Sequence, residues 1–218
     1  MTARPDRLGT VIVLAKQPLP GLAKTRLTPP LRPDQAAGVA AAALADTLAA
    51  AEAVDADSHL LAFAGDHTGW LPTGWRAASQ PGGGLDVRIV AAFGAVDQGR
   101  PAVLVGMDTP QFRPEQLMAF DPSRYDACLG RATDGGYWAI GFADPGAADT
   151  AISGVPMSTG DTGSIQLARL HRSGLRVQLL DELSDFDTFD AACAIVDQAP
   201  GGAFAAAIRA LQAGSLSG

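Results

Sequence analysis

Lysine is almost missing from this chain of 218 residues: two lysines leave 14 of its 16 basic residues to arginine. Cysteine and histidine are nearly as scarce, at two and three. Cys128 and Cys193 lie far apart with no metal-spaced partner, so they are read as free thiols of a reducing compartment. His59, His67 and His171 show no zinc-ligand spacing, which argues against a histidine-based zinc site. No apolar run approaches the ~18 residues of a membrane span. The first apolar stretch is broken at Lys16, too soon for a signal peptide, and a cytoplasmic protein is expected. Positive charge is also in short supply. Sixteen basic residues stand against 23 acidic ones, a net charge of −7, which argues against a nucleic-acid partner.

What is present is the composition of a globular rather than a disordered chain, 47% hydrophobic and 18% charged. A chain of this length buries about 70% of its unfolded surface and needs no staple. Thr10–Ala15 is a β-branched run that reads as a buried parallel strand. Residues 16–33, with five prolines, read as a long loop. Pro33 opens an alanine-rich helix to about Val54. Strands are expected at Ser58–Ala64, Pro101–Gly106, Asp126–Leu129, Gly136–Phe142 and Leu175–Leu180. Helices are expected at Leu85–Val96, Pro114–Phe120, Thr159–Ser173, Thr188–Gln198 and Gly202–Gln212, with Gly174 as a C-cap. Residues 65–84 read as loop. The alternation predicts one three-layer α/β/α domain over residues 1–213, with a mostly parallel central sheet and a frayed tail from Gly214.

Both lysines fall in one loop, Lys16-Gln-Pro-Leu-Pro-Gly-Leu-Ala-Lys-Thr-Arg26, directly after the first strand. Ligands of open α/β sheets bind outside the carboxyl ends of the strands. Lys16, Lys24, Arg26 and the backbone around Gly21 and Thr25 therefore suit a polyphosphate, the alternative being a solvated surface loop with incidental charges. The loop matches neither a Walker loop nor G-x-G-x-x-G. Asp108 ends a second buried strand on the same edge. It is either a metal ligand or a turn-forming residue before Thr109-Pro110. Asp187 and Thr188 precede a helix, where a capping role is open to them; alternatively, Asp185 or Asp187 is the second metal carboxylate. In Thr133-Asp134-Gly135-Gly136 the glycines suit a tight turn, and Asp134 has a turn role or a proton-transfer role. Trp70, Trp75 and Trp138 are expected to pack in the core or at its rim rather than stack on bases. Gln80-Pro-Gly-Gly-Gly84 has the flexibility to lie over a ligand, and Arg88 beyond it reads as a surface charge.

These motifs together resemble the nucleotide-diphospho-sugar transferase (GT-A fold) superfamily. Within it they resemble the bacterial glycosyltransferase-like family DUF2064. The resemblance rests on Ala15 to Leu27, Gly106-Met-Asp-Thr-Pro110, Ala132-Thr-Asp-Gly-Gly-Tyr137 and Asp185-Phe-Asp-Thr188, in order along nearly the whole chain. The pattern is also similar to phospholactate guanylyltransferases. Phe189 stands where the pattern has proline, and Met157 where the family usually has tryptophan. The resemblance implies that Lys24 and Arg26 face phosphates and that Asp108 and Asp187 hold Mg²⁺ (or Mn²⁺). It also implies that Thr133, Gly135 and Ser158 lie towards an acceptor.

Three functions follow as expectations. The first is nucleotidyl transfer from an NTP to a small phosphate- or carboxylate-bearing acceptor, with Lys24, Arg26 and Asp134 as catalytic groups and pyrophosphate as the leaving group. The second is glycosyl transfer from a nucleotide sugar. The third is a non-catalytic nucleotide-binding module. Partners are a nucleotide and a small acceptor, and the alanine-rich helices could pack a homodimer.

Overall fold

The computed structural model describes residues 7–199 and 201–215. Its centre is a seven-stranded sheet with β1 at Leu8–Lys16, β2 at Ala56–Ala64, β3 at Arg76–Ser79 and β4 at Ala102–Gly106. The sheet is completed by β5 at Ala127–Ala132, β6 at Tyr137–Phe142 and β7 at Val177–Leu183. The spatial order is β3-β2-β1-β4-β6-β5-β7. Every pairing is parallel except those of β6, which runs antiparallel to β4 and β5. β1, β4, β5 and β7 therefore present their carboxyl ends at one edge, where the sequence placed its basic loop and aspartates.

The helices are α1 at Pro33–Glu52, α2 at Leu85–Gly94, α3 at Pro114–Met118, α4 at Ala148–Ile152 and α5 at Thr162–Arg172. The chain closes with α6 at Phe189–Gln198 and α7 at Gly202–Ser215. β1 shows why the sheet is covered on both sides. Val11 and Val13 pack with Leu44 of α1, while Ile12 packs with Ile89 and Phe93 of α2 on the opposite face. Residues on alternate positions point to opposite faces, so a strand apolar at every position needs two helical layers. The layers are as the sequence predicts, α/β/α.

A third apolar cluster joins α1, α6 and α7 to the loops beside them. It contains Leu27, Phe186, Ile195, Phe204 and Ile208, all at most 1% exposed. This cluster positions the functional loops, because Leu27 follows the basic loop and Phe186 lies between the two late aspartates.

Several boundaries differ from the sequence expectations. The segment 65–84 contains β3, whose four residues lie at the sheet edge, too short to carry a period. α4 lies where no element was expected. β7 starts at Val177 rather than Leu175 and continues to Leu183. α5 begins at Thr162, three residues late, because 159–161 form the turn before it. α7 runs to Ser215, and the remainder of the expected tail lies outside the described residues. Trp75 and Trp138 are buried, and Trp70 packs against the core, as expected. His59 stacks on Trp75 with ring centroids 4.8 Å apart. Cys128 is buried and Cys193 half-buried.

Candidate functional site

The basic loop leaves β1 and folds back on itself. The Lys16 ammonium donates to the Leu22 carbonyl (3.1 Å), and the amides of Leu22 and Ala23 donate to the Leu19 carbonyl. Gly21 sits at φ +75°, a conformation that favours glycine. Ala23 and Leu27 are buried and pin the loop to the protein at two points. Lys16 is thus engaged within its own loop rather than with the acidic residues.

Lys24 is held differently. Its backbone lies in the left-handed region, φ 48° and ψ 44°, which costs a non-glycine residue about 1–2 kcal/mol. Its side chain is only 7% exposed. The ammonium lies 3.1 Å from Asp108 Oδ1, 3.2 Å from Asp187 Oδ1, and 4.1 Å from the centroid of the Phe186 ring. Arg26, two residues on, is largely exposed and pairs with the other oxygen of Asp187. The structure therefore brings together Lys24, Arg26, Asp108 and Asp187 from three chain segments.

The late aspartates have distinct surroundings. The capping role open to Asp187 and Thr188 belongs to Thr188, whose hydroxyl accepts from the Ala191 amide (3.2 Å). Asp187 is left for the cations. Burial opposes its charge, but Lys24 and Arg26 outweigh that and hold its carboxyl below the ordinary range. Among the described residues, no cation forms an ion pair with Asp185. Burial, then the charges of Asp134, Asp187 and Asp108, push it up to about 6 against the opposing pull of Lys24. Four carboxylates thus share one neighbourhood, with Lys24 among them.

The Thr133–Gly136 turn is fastened on two sides. The Thr133 amide donates to the Leu183 carbonyl (3.0 Å) and its hydroxyl to Ser184 Oγ (3.2 Å). On the other side the Gly163 amide donates to the Gly135 carbonyl (2.7 Å). Gly135 has φ +91°, and a Cβ there would meet the Gly160 carbonyl oxygen at 1.8 Å. Only glycine fits. The turn reading of Asp134 holds in part, since its carboxylate accepts from the Gly136 amide (2.8 Å). Ser158 lies in the neighbouring turn before α5 with φ 60°.

Two residues that the sequence did not single out hold the site together. Gln111 is buried, and its side-chain amide donates to the Ser184 carbonyl, tying the loop after Asp108 to the loop before Asp185. Phe186 lies under Lys24 and packs on Phe204, centroids 4.7 Å apart. A lone glutamine and a phenylalanine between two aspartates carry no spacing signal. Gln80 also has a definite place: its amide donates to the Ala15 and Ala62 carbonyls (both 2.8 Å), fastening the start of the glycine-rich segment across β1 and β2. Arg88 reaches back to the Gly83 carbonyl (3.2 Å).

The donor set suits one kind of metal. Among the described residues no three histidine, cysteine or acidic side chains are grouped to cage an ion. Asp108 and Asp187 each place an oxygen within 3.2 Å of one cationic nitrogen, so both can converge on a cation. Two carboxylates completed by phosphate oxygens is a usual arrangement for Mg²⁺.

No helix among the described residues is long and apolar enough to cross a membrane. No functionally curated protein matches the chain in sequence. Its fold is similar to that of a candidate nucleotide-diphospho-sugar transferase from Desulfovibrio desulfuricans G20, with a TM-score of 0.80 and 26% identity over 94% of this chain and 95% of that one. It is also similar to CMP:2-keto-3-deoxy-manno-octonic acid synthetase in complex with CTP, with a TM-score of 0.56 and 14% identity over 88% and 97%. A manganese complex of Rv0371c from Mycobacterium tuberculosis H37Rv matches with a TM-score of 0.52 and 19% identity over 87% and 99%. These likenesses support the α/β fold. The profile of DUF2064, described as "uncharacterized protein conserved in bacteria", matches residues 36–159, a span that contains Asp108, Asp134 and Ser158 but not Lys24 or Asp187. That span is more than half of the chain, and the protein belongs to the DUF2064 family.

Proposed function

We propose that this protein is a metal-dependent nucleotide-using transferase, and specifically a nucleotidyltransferase. It moves a nucleoside monophosphate from an NTP to a small phosphate- or carboxylate-bearing acceptor and releases pyrophosphate. The observation that carries this reading is the meeting of Lys24 and Arg26 with Asp108 and Asp187 at the carboxyl edge of the sheet. Two cations beside two carboxylates match a triphosphate tail that arrives with a divalent ion. The CTP complex among the similar folds supports nucleotide use, and the manganese complex supports a divalent ion.

In this reading Asp108 and Asp187 hold Mg²⁺ or Mn²⁺, and the ion supplies charge neutralisation to the phosphates it touches. Lys24 and Arg26 orient the triphosphate, and Lys16 and the amides near Gly21 and Thr25 bind its tail. An acceptor oxygen attacks the α-phosphorus, a new P–O bond forms, and the bond to the bridging oxygen breaks with its electrons leaving on pyrophosphate. A phosphate or carboxylate acceptor is already ionised at neutral pH, so the attack needs no strong base. Catalysis is then mostly positioning and electrostatic stabilisation. Thr133, Gly135 and Ser158 would line the acceptor side, where the turn is rigid, and Asp134 would take up the proton of an acceptor phosphate that arrives as the monoanion. All these groups belong to one domain.

A second reading is glycosyl transfer, favoured by the nucleotide-diphospho-sugar transferase name of the Desulfovibrio protein. The two differ in the released product. Incubation with Mg²⁺, each NTP or nucleotide sugar, and a panel of small anionic acceptors should release pyrophosphate from one NTP. Release of a nucleoside diphosphate from a nucleotide sugar would replace the first reading with the second.

A further inference from the structure

The Lys24 ammonium and a divalent ion need the same two oxygens. Lys24 Nζ lies 3.1 Å from Asp108 Oδ1 and 3.2 Å from Asp187 Oδ1, on a side chain that is 7% exposed. The site also keeps this cation in place by other means. The Phe186 ring, fully buried against Phe204, supports the ammonium from 4.1 Å. The left-handed backbone of Lys24 and the buried Ala23 and Leu27 on either side aim the side chain inward. A flexible surface lysine would cost a metal site little. This one is packed.

We infer that Lys24 is an exchangeable internal cation that makes metal binding depend on nucleotide. With no nucleotide, the ammonium neutralises Asp108 and Asp187, and a free divalent ion must displace it. A triphosphate supplies new anionic oxygens, to which Lys24 and Arg26 can move. The two carboxylates are then released to the ion that the phosphates bring with them. Metal and nucleotide therefore enter as a pair, and the site does not fill with metal alone. The inference rests on the metal assignment proposed above.

The test is the affinity of the intact protein for Mn²⁺ without nucleotide, read by calorimetry or by the paramagnetic signal of free Mn²⁺. The wild type should bind Mn²⁺ weakly, and should bind it at least about tenfold more tightly in the presence of a non-hydrolysable NTP analogue, beyond the Mn²⁺ that the analogue takes up without protein. Lys24→Met and Lys24→Gln should bind Mn²⁺ alone at least about tenfold more tightly than the wild type, because a competing unit charge within 4 Å of the ion's ligands is gone. Gln keeps hydrogen bonding to the carboxylates, so it guards against a Met variant that folds poorly, and thermal unfolding checks both. Adding Asp108→Asn to either variant should remove the gain. Equal or weaker Mn²⁺ binding by folded Lys24 variants, with a wild type that does bind, would overturn the exchange while leaving the metal assignment standing. Absence of Mn²⁺ binding in every variant, with and without nucleotide, would overturn the metal assignment and the exchange with it.

Discussion

Phe186 lies beneath Lys24, its ring centroid 4.1 Å from the ammonium, and the same ring packs on Phe204. One buried aromatic therefore belongs both to the cluster of α1, α6 and α7 and to the polar site. A cation over a ring is attracted by the ring's quadrupole, and more strongly when water is excluded. The substitution Phe186→Ala should lower stability by about 3–5 kcal/mol, as for other large aromatic truncations. Denaturant unfolding measures this. Phe186→Leu should retain most of the stability yet weaken nucleotide binding, because Lys24 loses its support.

Arg26 offers a separation of binding from folding. Its side chain is 73% exposed and its partner is Asp187. Exposed ion pairs contribute little, so Arg26→Ala should change stability by less than about 0.5–1 kcal/mol. The thermal shift produced by an NTP with Mg²⁺ should fall. For the wild type that shift corresponds to about 2.7 kcal/mol at a hundredfold excess over Kd. An unchanged shift in Arg26→Ala would remove Arg26 from the phosphate site.

Asp108→Asn is the corresponding test of the metal. The residue is half exposed and pairs with Lys24, so the fold should tolerate the change. Turnover should drop by at least about a hundredfold, the scale of losing one electrostatic contact in a transition state. Chelation of the divalent ion in the wild type should do the same and should be reversed by Mg²⁺. Full activity in either experiment would end the assignment.

Gly135 should be intolerant of any side chain. It combines φ +91° with a Cβ position 1.8 Å from the Gly160 carbonyl oxygen. Backbone strain and overpacking each cost about 1–3 kcal/mol, so Gly135→Ala should lose about 2–6 kcal/mol in denaturant unfolding. Gly154, at φ +76° with open space around it, should lose only the strain when replaced by alanine.

The pH dependence of stability has one well-placed reporter away from the site. Asp126 is held at about 2 by hydrogen bonds from the Arg176 side chain first and its amide second. Its folded pKa is below the unfolded value near 3.9, so the folded state favours the charged form. The contribution is complete above pH 4 and is lost as pH falls from about 4 to about 2. The pair is largely exposed, so solvent screening limits it to about 1 kcal/mol. Asp126→Asn should be less stable than the wild type by that amount at pH 7, and the two should converge near pH 2. Urea unfolding across this range shows it.

Much of the architecture was legible in the sequence because it is written in local periodicity. The runs around Val11–Val13 and Val103–Val105 are apolar at every position, which places them in a covered parallel sheet. Pro33 and Asp34 start α1 where a proline and an acid suit a helix start. β3 and α4 escaped because four or five residues hold too little pattern, whereas α3, equally short, was legible because Pro114 marks its first turn and α4 has no such start or side-chain cap.

The sequence by itself determined the sheet class, the position of the basic loop after β1 and the acidic ends of the later segments, since each depends on a few adjacent residues. Only the tertiary structure decided which charges meet. Thr188 takes the cap and frees Asp187, Lys16 turns back to its own loop, and Lys24 reaches across 163 positions to an aspartate. Phe186 and Gln111 became site residues only because buried packing and one hydrogen bond bring distant loops together. The physical reason is that electrostatic and packing energies depend on distance in space, and a chain's spacing reports that distance only within a single helix or strand.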